Sequence, residues 1–563
     1  MATYRLDLVV QDFARFLSTS RPELASRANI VVSNLPDPTL EGAKKDAGFG
    51  RAALAALDDL PVDALTQNDY VTWLSLRWEM EAMTGWPAFH WTNLSDLTPG
   101  VSVFDRSVAV LSAQHVSDPA AGQRFIGLVN QVADIARAMR EEYEERSRRD
   151  IRLPRSSIQR AVEYLRGLTG PPGSSPFGLP ATFQASPDTA WRTQLVRDVD
   201  DVIPLRVNPA LDSLALLLDQ ERERASDSLG IFRLPGGSTH YETLLRYRTT
   251  LEISPQEAHA VGLREVVRIA ALAGAARDAA RLPVSRDSLR AVFRSDSSFA
   301  FDERRSIPEM TAQLYESLVQ ELDSLIGAAS GIPVAISAMV PSRLAPLATY
   351  DPPTASRQAA LYLINLPELV SRSAVVLPGL VVGDLVGLHH QQGTQLANPE
   401  LPMFRRLASH DGFVKGWQTY VLDVADSLSS RLLPWQRFGL RLRELAAACG
   451  LVVDTGINAL GWTRADALDF LRAYLPYDDD DLDREFVLPA IERPGMLSAA
   501  TLGARELRGL RRWAMRESGD RFRLASFHAE VLRVGSVPLP VLGSHLERWI
   551  WEQNRPAPPT ARH

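Results

Sequence analysis

The chain has 563 residues, of which 45% are hydrophobic and 23% charged, so it is long enough to bury one large core or several smaller ones. Its formal net charge is −7, and acidic and basic residues are spread through the whole chain. This balance argues against the basic surface of a nucleic-acid-binding protein and against a polybasic membrane segment.

Cysteine content and hydropathy argue against further classes of protein. Cys449 is the single cysteine, which excludes a disulfide framework and a cysteine-based zinc site. No segment reaches about 18 uninterrupted apolar residues, so no membrane span is predicted. Residues 2–17 form an amphipathic pattern without the basic and then apolar order of a secretory signal. We expect a soluble protein, cytoplasmic as written, or exported if a signal peptide has been removed.

The first 230 residues are predicted to form helices separated by proline-containing breaks. Apolar residues recur at helical spacing in 4–35, 51–83, 107–146, 156–168 and 188–228. The glycine- and proline-rich stretch from Gly167 to Pro180 is predicted to be a linker or a lid-like loop.

A helix start followed by a small sheet is predicted next. Ser254, Pro255 and Glu257 form a capping-box pattern that predicts a helix from Pro255 to Ala275. A further helix is predicted over 306–329. Short β-branched runs broken by prolines in 331–353, and the alternation of Tyr362 and Ile364, then predict strands.

The central stretch is LPGLVVGDLVGLHHQQG, residues 377–393, which predicts an apolar helix carrying His389 and His390. The acidic run at 477–485 is predicted to be a charged loop, because it lacks the spaced ligands of a calcium-binding loop. Further helices are predicted over 413–431, 434–449, 463–475, 497–517, 525–534 and 539–553. The predicted fold class is mainly α, a large helical fold with one small β-sheet ahead of the central helix.

Five distributed segments resemble the bacterial family catalogued as domain of unknown function 885. They are LPDP at 35–38, LRYRTTLEISPQEAHAVGLREV at 245–266, YDPPTASRQAALYLIN at 350–365, LVVDTGINALGWTRADA at 451–467 and FHAEVLRVGSVPLPVL at 527–542. The resemblance implies a helical fold similar to the thermostable-carboxypeptidase class of zinc metallopeptidases. It implies one domain over 1–555, which could divide into lobes of about 1–230 and 231–555 around a groove, and a disordered tail at 556–563.

The family's zinc motifs are largely lost in this chain. Typical members resemble zinc hydrolases with His-Glu-x-x-Pro-Gly-His and a later Glu-Gly-Trp, which supply metal ligands and a base. The first motif falls on 383–389, where only His389 matches and Asp384 stands in the place of the base. The second falls on 415–417, where Lys415 replaces the carboxylate ligand. No metal ligands are assigned and no cofactor is expected; zinc would be expected only if this alignment of the motifs is wrong.

Other reactive positions of the family pattern are also changed, whereas scaffold positions persist. Both arginines of the segment that matches 447–454 are absent, and Asn458 replaces a histidine. The resemblance assigns a groove-lining role to six side chains: Trp417, Tyr420, Asp454, Asn458, Trp462 and His528.

These changes motivate a structural hypothesis and two functional ones. Lys415 is predicted to replace the lost metal charge and to pair with Asp384 within roughly 4 Å. The first functional hypothesis is that the chain is a catalytically degenerate, peptidase-like protein. It would bind a peptide or small molecule in the groove that the resemblance implies. The alternative is an active hydrolase, or a metal-independent enzyme that uses Asp384, His389 and Lys415. The sequence leaves the ligand and the oligomeric state open.

Overall fold

Local start signals explain where many of the helices begin. Ser102, Ser254 and Thr463 each accept a backbone hydrogen bond from the residue three positions on, and the carboxylate of that residue accepts one in return. These reciprocal bonds satisfy N–H groups that a helix start otherwise leaves without a partner. The capping box predicted at Ser254 is therefore confirmed.

The computed structural model describes residues 2–28, 30–184, 190–296, 299, 301, 306–326, 331–342, 345–354, 357–428 and 430–554. The predicted tail at 556–563 lies outside the described residues.

The described residues are mainly helical, as predicted. The α-helices in chain order are α1 (Ala2–Ser20), α2 (Pro22–Arg27), α3 (Leu40–Asp58), α4 (Gln67–Gly85), α5 (Val103–Ser112), α6 (Pro119–Arg148), α7 (Arg155–Leu168), α8 (Ala190–Val202), α9 (Asn208–Glu221), α10 (Gly237–Thr249), α11 (Pro255–Ala279), α12 (Arg286–Ser295), α13 (Ile307–Ile326), α14 (Leu366–Ser371), α15 (Leu377–Leu380), α16 (His390–Ala397), α17 (Met403–Leu407), α18 (Asp411–Leu428), α19 (Pro434–Ala459), α20 (Arg464–Tyr474), α21 (Asp479–Leu482), α22 (Leu488–Glu492), α23 (Met496–Ser518), α24 (Leu524–Arg533) and α25 (Leu539–Asn554).

A three-stranded sheet precedes the central helix, as predicted. Its strands are β1 (Val334–Ala338), β2 (Ala348–Asp351) and β3 (Ala360–Ile364). β3 lies in the middle, parallel to β1 and antiparallel to β2, with Tyr350 opposite Tyr362. Alternate residues of β3 are buried, so one face of the sheet packs on the helices and carries Tyr362 towards the central helix.

The central helix runs without a break from α15 through π-helical turns at Val381–His389 into α16. By length and composition Ala374–Ala397 could cross a membrane, but 94% of its apolar window is buried inside the protein. A buried core helix has the same composition, so the pattern carries no evidence for a membrane span.

Two predicted elements differ from the structure. The acidic run at 477–485 begins a helix, α21, which continues through π-helical turns at Asp483–Val487; acidic side chains favour a helix N-terminus, where the backbone N–H groups are free. α19 extends ten residues beyond the predicted end at 449. The stretch predicted as a loop at Gly167–Pro180 is a loop after Leu168, and its Phe177 is fully buried.

The hydrophobic core is divided into clusters. One cluster contains buried residues from Ala25 to Ala225, and the largest draws mostly on residues between Leu229 and Ile550. A third joins α1, α3 and α4 with Phe404 of α17. The division into one domain with two lobes stays a prediction.

Candidate functional site

Asp384 lies in the π-helical stretch of the central helix, and both of its carboxylate oxygens have partners. Oδ1 accepts from Arg443 Nη2 at 2.8 Å and from Gln418 Nε2 at 3.1 Å. Oδ2 accepts from the Tyr362 hydroxyl at 3.0 Å. Sheet, central helix, α18 and α19 therefore meet at this carboxylate, and its negative charge is balanced by a guanidinium.

The ion pair predicted between Asp384 and Lys415 is not formed, because Arg443 takes that place. Lys415 has no carboxylate within 4.0 Å among the described residues, whereas Arg443 lies in salt-bridge contact with Asp384. The Arg443 side chain runs along the central helix over Gly379 and Gly383, where an added Cβ would come within 2.9 and 3.2 Å of it. The two glycines, four residues apart, were the sequence signal for this close approach.

Lys415 is partly buried on α18. Burial lowers the pKa of its ammonium, while the charges of Asp384 and Asp411 raise it and those of Arg443 and Arg493 lower it. Both carboxylates already have closer cationic partners, since Asp411 pairs with Arg248 at 2.8 Å. Lys415 thus adds a positive charge that no nearby carboxylate matches closely.

The two adjacent histidines have different environments, as expected for neighbours on a helix. His389 Nδ1 lies 3.0 Å from the Tyr350 hydroxyl of β2, and burial lowers the pKa of His389 to about 4. Burial also lowers the pKa of His390 to about 4, and its Nδ1 has no hydrogen-bond partner. Both imidazoles are therefore neutral near pH 7.

The residues at this position do not fit a zinc ion. Across the residues that the structure describes, no three His, Cys, Asp or Glu side chains are placed to hold a metal. Asp384 is paired with Arg443, and Lys415 carries an ammonium rather than a metal-binding group. A catalytic zinc requires about three protein ligands, so these side chains do not support a metal-dependent step at this position.

The predicted groove residues fall into two buried groups. Tyr420, Trp417 and His528 pack together: the Tyr420 hydroxyl lies 2.7 Å from His528 Nε2, and the Trp417 ring meets the His528 ring edge to face at 5.5 Å. All three side chains are fully buried. Trp462 is partly buried against His259 and Phe470.

Asp454 and Asn458 form the second group and join α19 to the start of α23 and to Ile231. Asp454 accepts from the backbone of Gly495 at 2.9 Å and of Ser498 at 3.1 Å, which caps α23. Asn458 Oδ1 accepts from Ile231 N at 3.2 Å. Burial raises the pKa of Asp454 to about 6, although these hydrogen bonds lower it. Both side chains are fully buried and tie the chain together here; lining of an open groove by the predicted set stays a prediction.

An open cleft of about 440 Å³ lies between segments 21–106 and 229–248, with residues 491–494 at its wall. Sequence analysis did not single out its residues as a site. The side chains of its wall include Trp86, Phe89, Arg233, His240, Tyr247 and Arg493. The sequence signals for these residues were the aromatic segment at 86–91 and the stretch RLPGGSTHYETLLRYR at 233–248. A cleft of about this volume suits a small ligand.

Fold and site together define a large helical protein with an arginine–aspartate pair between its central helix and α19 and an open cleft lined by other segments. The chain belongs to the family described as "Bacterial protein of unknown function (DUF885)", whose sequence profile matches residues 22–546. Membership of the family suggested by the distributed motifs is therefore confirmed. No curated protein matches the chain.

Two solved structures share the fold. A protein from Colwellia psychrerythraea, described as a candidate lipoprotein, is 21% identical and superposes with a TM-score of 0.86 over 98% of this chain and 99% of its own. A candidate lipoprotein of unknown function from Shewanella oneidensis is 14% identical, with a TM-score of 0.72 over 97% and 99%. At these identities the likeness concerns the fold alone.

Proposed function

We propose that this chain is a peptidase-like binding protein that lacks zinc hydrolase activity and takes a peptide or a small molecule in the open cleft. The carboxylate of Asp384, in the place of the family's base, is held by Arg443, Gln418 and Tyr362. A base in a zinc hydrolase must accept a proton from a metal-bound water, whereas these contacts engage both oxygens of Asp384 and balance its charge. This observation carries the proposal.

Metal analysis together with peptide hydrolysis tests the proposal. We expect the purified protein, incubated with Zn²⁺ and desalted, to retain less than stoichiometric zinc and to release no amino acids from a mixed peptide library. Stoichiometric zinc that is lost in His389→Ala, but retained in the exposed control His115→Ala, would overturn it. Hydrolysis that is abolished by chelator would do the same.

A metal-independent enzyme is the second candidate, and Lys415 is the observation that favours it. Its ammonium is partly buried, has no close carboxylate among the described residues, and has a lowered pKa because of burial; such amines can act as bases or nucleophiles. Turnover that persists with chelator, and is lost in Lys415→Met but not in the exposed control Lys45→Met, would favour this candidate over the first.

Export is a further part of the proposal. The two proteins that share the fold are described as candidate lipoproteins, and lipoproteins are exported. We expect the natural gene product to be found outside the cytoplasm when the producing cells are fractionated, and recovery with cytoplasmic enzymes would contradict this.

A further inference from the structure

The charges in the wall of the cleft are not evenly matched. The acidic side chains deep in the wall each have a cationic partner: Glu23 with Arg106 at 4.0 Å, Asp46 with Arg21 at 3.7 Å, Asp96 with Arg146 at 3.1 Å and Glu492 with Arg160 at 3.1 Å. Asp37 lies at the exposed rim and is hydrogen-bonded to Thr39. The carboxylates of the wall are therefore already engaged.

Two arginines of the same wall are not matched in this way. Arg233 and Arg493 have no carboxylate within 4.0 Å among the described residues, in contrast to Arg21, Arg106 and Arg248. Arg233 donates from Nη2 to the backbone carbonyl of Arg152. The cleft thus holds two guanidinium groups whose charge the protein does not neutralise by direct contact.

Buried donors without acceptors lie on the same side chains. The Nε–H groups of Arg233, Arg248 and Arg493 are buried and have no hydrogen-bond partner. These Nε–H groups lie below the surface of the wall, so a ligand in the cleft would meet the terminal Nη groups of Arg233 and Arg493, two residues that are partly exposed. Guanidinium groups bind carboxylates and phosphates through paired N–H donors.

Burial lowers the pKa of Arg233 and of Arg493. For Arg493 the charges of Arg248 and Arg160 oppose the charged form as well, whereas Glu492 and Asp411 favour it. The Arg493 charge also acts on Lys415, whose pKa it lowers. An entering anion would relieve this repulsion.

Aromatic rings form another part of the wall. The Phe89 and His240 rings stack at 4.6 Å with an angle of 4° between them, and Trp86 meets Tyr247 edge to face at 5.0 Å. Burial lowers the pKa of His240 to about 4, so its ring is neutral near pH 7. His240 is buried, whereas Phe89 and Trp86 are partly exposed and suit the apolar or planar part of a ligand.

We infer that the cleft binds a small organic anion, whose carboxylate or phosphate group contacts Arg493 and Arg233 and whose apolar part lies against Phe89 and Trp86. This inference rests on the proposed binding function and names its ligand class. The two oxyanions share the chemistry that arginine recognises, and the choice of probes separates them.

Calorimetric titration of the full chain with four probes tests the inference: inorganic phosphate, benzoate, phenyl phosphate and neutral benzyl alcohol. We expect saturable binding of benzoate or phenyl phosphate that weakens with added salt, and no binding of benzyl alcohol. The better of benzoate and phenyl phosphate identifies the anionic group, and tighter binding of phenyl phosphate than of inorganic phosphate shows the contribution of the aromatic wall.

Variants locate the binding site. Arg493→Gln is expected to weaken binding by about tenfold or more, and Arg233→Gln to weaken it as well. Arg512→Gln removes the same charge from an exposed position and is expected to change the affinity less than about twofold. Circular dichroism and thermal unfolding establish that each variant is folded.

The inference would be overturned if none of the anions shows saturable binding at about 10 mM. It would also be overturned if benzoate and benzyl alcohol bind equally well. Both outcomes concern the wild-type chain, so they count even if a variant fails to fold. Equal weakening by Arg493→Gln and Arg512→Gln would also overturn it. Failure of the proposed function is a separate result, since it requires stoichiometric zinc or peptide hydrolysis.

Discussion

At the scale of single residues, the charge of one buried carboxylate is compensated from a distant part of the chain. Arg443, 59 residues after Asp384, balances the Asp384 carboxylate. A buried carboxylate without such a partner would be unfavourable. The arginine–aspartate pair therefore stabilises this carboxylate inside the protein.

The pair can be tested with a double-mutant cycle. Arg443→Met keeps the aliphatic stem but leaves Asp384 without a cation, and we expect a loss of about 1–2 kcal/mol of unfolding free energy. The expected loss of unfolding free energy is small because the Arg443 side chain is 35% exposed and water screens its charge. Chemical denaturation measures the loss, with the exposed Arg512→Met as control.

Combination with Asp384→Asn should restore most of the stability lost in Arg443→Met, because no uncompensated charge remains. Additive effects of the two substitutions would show that the pair does not interact energetically. This outcome would also remove the main support for the proposal that Asp384 takes no part in zinc chemistry.

At the scale of secondary-structure elements, α18 and α23 approach so closely that glycine is required on both. A Cβ added at Gly503 would lie 2.8 Å from Gly416 Cα, and one added at Gly416 would lie 2.6 Å from Gly503 C. These are backbone contacts, which cannot move without separating the helices. The contact holds Lys415 and Trp417, the neighbours of Gly416, in their places.

Two glycine substitutions on the same helix test this contact. Gly503→Ala is expected to destabilise the protein by about 2–4 kcal/mol, because the helices must separate. Gly509→Ala meets nothing within 4 Å and should be neutral or stabilising by up to about 1 kcal/mol. Thermal and chemical unfolding give both values. Equal effects would show that the close approach does not limit the packing.

At the scale of the whole molecule, polar contacts join the N-terminal helices to the C-terminal ones. Gln67 Nε2 lies 3.1 Å from His545 Nδ1, and the other nitrogen of that imidazole contacts Glu530. Glu530 also accepts from Arg533 at 2.7 Å. Burial alone would raise the pKa of Glu530, but the bonds to His545 and Arg533 hold it at about 2.

Acid should therefore weaken this junction in a defined range of pH. Because the folded-state pKa of Glu530 lies below its ordinary value of 4.5, its stabilising effect is present above pH 4.5 and is lost as the pH falls towards 2. Glu530→Gln should cost about 1–3 kcal/mol at pH 6 and progressively less below pH 4.5.

Denaturant unfolding between pH 2 and 6 measures the difference between the wild type and Glu530→Gln. The exposed Glu547→Gln on α25 is the control, and its effect should be small at every pH. A difference that does not change with pH would contradict the stated role of the Glu530 carboxylate.

The sequence by itself determined the helical class, the small sheet ahead of the central helix, and starts such as those at Ser254 and Thr463. These features depend on residues only a few positions apart, and caps and apolar spacing report them directly. The single histidine within 383–389 and the lysine at 415 could likewise be read directly.

Only the tertiary structure decided which groups meet at Asp384 and which side chains line the open cleft. Arg443 reaches Asp384 from another helix, and Arg233 and Arg493 come to one cleft from segments far apart in the chain. Charge pairing depends on these approaches over a few ångströms, which local sequence patterns do not encode. For this reason the prediction of Lys415 as the partner of Asp384 was wrong, although both residues were placed on the correct helices.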